Sequence, residues 1–269
     1  MRVQAENAYD TASGKKIDYK RIAAMADKTR WVLVGESHDN PWHHQAQAKV
    51  IEALVARGRD VTVGVEMFTR PIQPKLADFS MGWQTDEQFI KESEWKTQWG
   101  FDYLLYKPIF DTIRQHRLPM VGLNVPRDWV RRVGKDGYSA LTADERAQLP
   151  GDLDLNNTDH RNIFTALMGG HPMTGARGEN IYSAQVLWDT GMADTAIKAM
   201  DQRKFDKRPV MVILAGIGHV MYGQGIMYRI NKRTSENGLT VACVEGDTNT
   251  EVSRGIGEVV IATKSPERR

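Results

Sequence analysis

Two carboxylates and two imidazoles stand at corresponding places in this sequence. The apolar run Trp31-Val32-Leu33-Val34-Gly35 stops at Glu36, with His38 two positions on. Val61-Thr62-Val63-Gly64-Val65 stops at Glu66, and the run from Pro209 to Gly218 stops at His219. A further run, Leu123-Asn124-Val125-Pro126, delivers an amide and then the guanidinium of Arg127. Carboxylates beside imidazoles can pass protons as general acids and bases. The same donors can ligate a divalent metal, but no His-Glu-x-x-His occurs and no metal ligand is assigned from spacing. Taken singly, each residue reads as a cap or a satisfied polar group of the core. Taken together at three strand ends they read as one site, provided that the strands at 31–35, 61–66 and 209–214 are neighbours. Carboxylates crowded there repel, so one is expected to take up a proton more readily than in water.

The elements that must position these groups follow from periodicity. A helix from Tyr19 to about Asp27 leads into the first strand. Asn40 suits a helix cap and Pro41 the first helical position. In that helix Ala48, Ile51 and Val55, flanked by Val50 and Leu54, repeat at 3.6 residues, and Gly58 ends it. A strand–helix–strand opening predicts parallel strands joined by a right-handed crossover. Residues 71–100 read as short helices and loops dense in aromatics, followed by a helix at 102–116 and a strand at 119–123. From 127 to about 205 the pattern is helical. Strands resume at 209–214, 239–244 and 258–263, whereas residues 1–17 read as polar and loosely held. The expectation is one α/β domain over 1–269, a parallel-dominated central sheet flanked by helices, with a helical insertion or lid over 127–205.

Composition narrows the function. A chain of 269 residues can bury a sizeable core. Its 36 Lys plus Arg against 34 Asp plus Glu lack the basic excess of a nucleic-acid binder. No apolar run reaches the roughly 18 residues of a membrane span. Met1-Arg2-Val3-Gln4-Ala5-Glu6 has no apolar signal core, as in a cytosolic protein or a mature form whose leader has been replaced. Cys243 is the only cysteine, which excludes an internal disulfide, a thiolate zinc knuckle and haem attached through paired thiols. In its apolar run it is expected to be buried and inert. Gly216-Ile217-Gly218 lacks the third glycine of a dinucleotide turn and reads as the bend that presents His219. No Gly-x-Ser-x-Gly elbow is present for a serine hydrolase.

A second set of candidates lies in the helical region. A helix from about Glu179 to Asp201 carries Tyr182, Gln185 and Asp189 at i, i+3 and i+7, a polar stripe that is either solvated or turned towards a ligand. His160 precedes it, His171 opens the loop before it, and Tyr222 follows His219 by three residues. Tyrosine and histidine are both haem axial ligands.

Six blocks in order resemble the ChaN-like haem-binding proteins of bacterial iron uptake. They are Gly35 to Pro41 with His43-His44, Val65 to Phe68, Trp95 to Trp99 with Tyr106, Leu123 to Arg127, Leu187 to Asp189 with Met192-Ala193, and Ala215 to Val220. The resemblance implies an α/β fold related to erythromycin esterases and Tiki-type metalloproteases, in which Glu36, Glu66 and His219 match the hydrolase residues. It implies non-covalent haem bound through a tyrosine, a homodimer around stacked haems, and export to the cell envelope, often as a lipoprotein serving an outer-membrane haem uptake system. On that basis Tyr182, with His160 or His171 assisting, is the expected haem ligand, and Tyr222 the next choice. Three functions follow: a haem-binding protein of iron acquisition that could also process its haem, a hydrolase or lyase using Glu36, Glu66 and His219, and a divalent-metal protein. His38 and Arg127 complete the set of catalytic candidates.

Overall fold

The computed structural model describes residues 1–151, 153–170, 173–204, 206–246 and 250–266. Its strands are β1 (Arg2–Val3), β2 (Asn7–Asp10), β3 (Lys16–Ile17), β4 (Trp31–Glu36), β5 (Asp60–Thr69), β6 (Met120–Asn124), β7 (Pro209–Gly216), β8 (Leu239–Glu245), β9 (Thr250–Glu251) and β10 (Val259–Thr263). Eight of them form one sheet in the order β3-β2-β10-β8-β4-β7-β5-β6, while β1 and β9 pair apart from it. Every neighbouring pair from β10 to β6 is parallel. β2 joins β10, and β3 joins β2, antiparallel. The sheet is therefore parallel-dominated, as the sequence predicts. Residues 1–17 depart from expectation. They are not loosely held: Asn7–Asp10 pairs along Val259–Ala262, and Ala8 and Tyr9 are buried. Their short polar segments carry no apolar run long enough to announce a strand, and it is β10 that gives them a ladder.

The apolar runs are near-continuous because both faces of a parallel sheet are covered. Alternate residues serve different layers. Val32, Val34, Val63, Val65, Val212 and Leu214 pack with Ile51, Leu54, Ile109 and Phe110 of the helices Pro41–Ala56 and Tyr103–His116. Trp31, Leu33, Met211, Ile213 and Ala215 pack on the opposite face with Met192, Ala196 and Met200 of the long helix Gly175–Gln202 and with Ile226 and Ile230 of Ile226–Thr234. Between residues 127 and 202 the described chain is helical, with helices Arg127–Asp136, Ala143–Ala147, Thr158–Leu167 and Gly175–Gln202. No helix among the described residues is long and apolar enough to cross a membrane. Cys243 is buried, and desolvation pushes its thiol well above the ordinary range.

Local signals fix the ends that matter. The Asn40 side chain accepts from Trp42 N at 3.0 Å with Pro41 in the first turn, so only four residues separate the end of β4 from the helix. β4 lies against β7, and β7 against β5. The three strands that carry Glu36, His219 and Glu66 are therefore adjacent, with β7 in the middle. Their carboxyl ends open on one edge, where open α/β sheets bind ligands.

Candidate functional site

Glu36 is the last residue of β4, and its side chain is buried beneath the turn that follows. Its Oε1 stands 2.5 Å from His38 Nδ1. That pairing raises the His38 imidazole above its ordinary value against the opposing cost of desolvation, and the nearby charge of Glu66 adds to it. The His38 side chain remains about a third exposed, with Trp99 at 4.7 Å and Phe101 at 5.3 Å between ring centroids. Tyr106 donates to the His38 carbonyl at 3.2 Å. The neighbouring histidines serve the scaffold. His43 Nδ1 accepts from Ser37 N at 2.9 Å, and burial drives this imidazole down to about 4, so it is neutral. His44 lies at 3.9 Å from the Tyr106 ring with Nε2 3.2 Å from the His38 carbonyl.

Glu66 sits within β5, and its Oε2 accepts from Gly216 N at 2.7 Å. Its Oε1 is 3.3 Å from His219 Nε2. On the other side of the ring, His219 Nδ1 is 2.6 Å from Asp189 Oδ1, and the Gln185 carboxamide stands 3.0 Å from the same nitrogen. A ring clamped between two carboxylates gains far more from its charge than burial takes away. His219 is accordingly pushed up to about 10 and is an imidazolium at neutral pH. The crowding of carboxylates expected from the sequence has the opposite outcome at Glu66. Desolvation would raise this carboxyl, but the two imidazoles, with the Gly216 amide, hold it below its ordinary value. Gly216 makes the convergence possible: a Cβ there would lie 2.8 Å from His38 Cε1.

Asp189 extends the network into the helical region. Its Oδ2 is 3.0 Å from His160 Nε2 and 3.6 Å from the Arg229 guanidinium. Arg229, ahead of the two imidazoles, drives the carboxyl far below the ordinary range against the cost of full burial. His160 Nδ1 stands 3.0 Å from the Tyr182 hydroxyl. The stripe Tyr182–Gln185–Asp189 is thus not a solvated face: Tyr182 and Asp189 are fully buried.

The structure brings Glu36, His38, Glu66 and His219 together at the sheet edge. Arg127 lies at its rim, with its guanidinium 5.9 Å from the Trp99 ring. His160 and Tyr182 form a second layer behind Asp189. The Tyr182 phenol is turned inward, also 3.3 Å from the Asn157 carbonyl, and burial pushes it up to about 12. His171 lies outside the described residues. Tyr222 is exposed, on a backbone at φ +58°, one short turn beyond His219. Among the described residues no three His, Cys, Asp or Glu side chains form a group that could hold a metal ion. Sequence reasoning did not join Asp189 and Arg229 to the site. The signal for each was a charge with apolar residues one turn away on its helix: Asp189 between Val186 and Met192, Arg229 between Ile226 and Ile230.

Residues 22–230 match the sequence model of the family described as haem-binding uptake, Tiki superfamily, ChaN. The chain belongs to that family. Among solved structures, the ChaN-family chain is similar to ChaN of Campylobacter jejuni, reported with cofacial haem binding. Their TM-score is 0.73 at 18% identity, over 94% of this chain and 95% of the other. It is also similar to the erythromycin esterase EreC in its open conformation, with a TM-score of 0.50 at 15% identity, over 88% of this chain and 76% of that one. At these identities the likeness is one of fold. No curated protein matches the sequence.

Proposed function

We propose that this ChaN-family protein binds ferric haem non-covalently at the carboxyl edge of the sheet. The observation that carries this is an apolar, aromatic rim around a half-open polar centre. Phe101 faces His38, Trp188 lies edge-on to His219 with ring centroids 5.5 Å apart, and Leu167 lies over Gly218. Phe101, Leu167, Met168 and Tyr222 expose more than a third of their surface, which is apolar area suited to a flat hydrophobic ligand. Arg127 at the rim suits a propionate. When bound, the group would supply a ferric centre, for which a phenolate is a fitting ligand. Of the two candidate phenols, Tyr222 stands free at the surface, whereas Tyr182 reaches the edge only if its bond to His160 opens. Membership of the haem-binding family supports the same assignment.

The test is a visible spectrum of the protein titrated with haemin. Saturable binding is expected, with a tyrosinate charge-transfer band that Tyr222→Phe removes and Tyr182→Phe retains. Loss in Tyr182→Phe alone would move the ligand inward and require the helical insertion to open. The proposal extends to haem acquisition in the cell envelope and to a dimer that stacks two haems between its copies, as the cofacial haem of the Campylobacter protein suggests. Size-exclusion chromatography with and without haemin tests the pairing.

A second function is favoured by one observation: His38 keeps about a third of its side chain exposed at the site, backed by the buried Glu36. His219, held as an imidazolium, is a poor base, so any proton transfer falls to His38, while His219 keeps Glu66 ionised. Conversion of bound haem or hydrolysis of another substrate would then be lost in His38→Gln with haem binding intact. Unchanged ligand after prolonged incubation with the wild-type protein would exclude turnover of haem.

A further inference from the structure

A separate cleft of about 360 Å³ lies away from the acid–imidazole cluster, between the helix Pro41–Ala56 and the β2–β10 side of the sheet. Trp42, Gln45, Ala46 and Lys49 line one wall at i, i+3, i+4 and i+7, a single helical stripe. The opposite side includes Ala8, Ile17 and Ile261, with Tyr19. Trp42 is 38% exposed here, and Tyr19 is half-buried. Both ammonium groups of the cleft stand over rings, Lys264 Nζ 5.5 Å from the Trp42 centroid and Lys49 Nζ 5.8 Å from that of Tyr19.

The charges of the lining are unequally committed. Glu6 pairs with Lys264 at 3.0 Å. Asp18 caps the helix Tyr19–Met25, accepting from Arg21 N at 2.8 Å. Lys49 has the face of Tyr19 and, among the described residues, no carboxylate within ion-pair distance. The formal charges of the lining balance, Glu6 and Asp18 against Lys49 and Lys264, but no described carboxylate contacts the Lys49 ammonium. A concave site with an apolar floor and aromatic walls therefore offers it to an anion with a flat hydrophobic body. Its volume is at the lower end of small-molecule sites, which run from about 300 to 1,000 Å³.

We propose that this cleft is a binding site for a small aromatic carboxylate or comparable aromatic anion of one or two rings. The anionic group takes the Lys49 ammonium, and the ring system covers Ala8, Ala46 and Ile261 against Trp42. The site is independent of haem: Asn40, whose side chain reaches the Lys264 carbonyl at 3.3 Å, separates Trp42 from the Glu36–His38 turn.

Naphthalene-2-carboxylate is the probe, titrated by calorimetry into the full chain, with its neutral carboxamide and cyclohexanecarboxylate as controls. Saturable binding of the probe is expected. Lys49→Gln and the carboxamide should each weaken it about tenfold, the loss of one charge-assisted contact. The saturated ring should bind about fivefold more weakly, since aromatic contacts add about 1 kcal/mol beyond area. Trp42→Leu should abolish saturation, and neither variant should alter the haemin titration. The proposal is overturned by absence of saturation at millimolar probe, by a carboxamide that binds as well as the acid, or by a Lys49→Gln chain with wild-type affinity. If Trp42→Leu lowers the melting temperature, Lys49→Gln, at an exposed position, still decides.

Discussion

The two faces of the sheet bury side chains equally well and by different physics. On the face covered by Pro41–Ala56 and Tyr103–His116, burial is aromatic. Phe110 is surrounded by Tyr103, stacked at 5.2 Å, and by Phe89, Trp95 and Phe79 at 5.3, 5.5 and 5.8 Å between ring centroids. On the face covered by Gly175–Gln202, the fully buried Asp189 holds His160, His219 and Arg229. Rings pack with any neighbour of suitable shape, whereas a buried carboxylate is tolerated only with its counter-charges in place. The first face specifies the fold. The second face spends stability on a charge arrangement that a fold alone does not require, and it reaches the ligand edge through His219.

The contrast can be broken by substitution on either side. Asp189→Ala leaves two imidazoles and a guanidinium around a missing carboxylate and should destabilise the protein by about 3–5 kcal/mol, read from the denaturant midpoint. It should also lower the His219 imidazole from about 10, seen by NMR titration of its ring protons. Phe110→Ala should cost about 3–5 kcal/mol through lost burial and a cavity, with no effect on His219.

The two faces separate most clearly by pH. His219 is raised, so its contribution is complete below the ordinary imidazole value of 6.5 and fades as pH climbs to about 10. Glu66 and Asp189 are lowered, so theirs is present above 4.5 and 3.8 and is lost as pH falls. The Asp189→Ala deficit should therefore be greatest near pH 5–6.5 and shrink on both sides, while that of Phe110→Ala should stay constant. A deficit of Asp189→Ala that ignores pH would mean that the clamp is mere packing. At the small end, Tyr182→Phe removes the hydroxyl's contacts with His160 and the Asn157 carbonyl and should cost about 1 kcal/mol.

Much of the central sheet was legible because parallel strands announce themselves as apolar runs, with an acid or imidazole where each run stops, although β5 continues past Glu66 to Thr69 and His219 lies in the turn after β7. Glu36, Glu66 and His219 were readable for that reason, and strand order then put β7 between β4 and β5. Asp189 and Tyr182 were visible as a stripe, but periodicity gives the face of a helix and not what that face meets. Whether the stripe turned to water or to His219 depended on how the helix Gly175–Gln202 docks, a long-range fact. The protonation of the site was illegible for a related reason. Two carboxylates at one edge suggest repulsion only until two imidazoles and a guanidinium are known to stand between and behind them.

Residues 7–10 lie along residues 259–262, so the first strand of the eight-stranded sheet pairs with its last. During synthesis that ladder cannot form until residues 259–262 have left the ribosome. A chain stopped short of β10 would leave β8 as an open edge, a template for pairing with other chains. Contacts of such long sequence separation also form slowly, because loop closure must precede them. Truncation near residue 255 should therefore show itself first as aggregation.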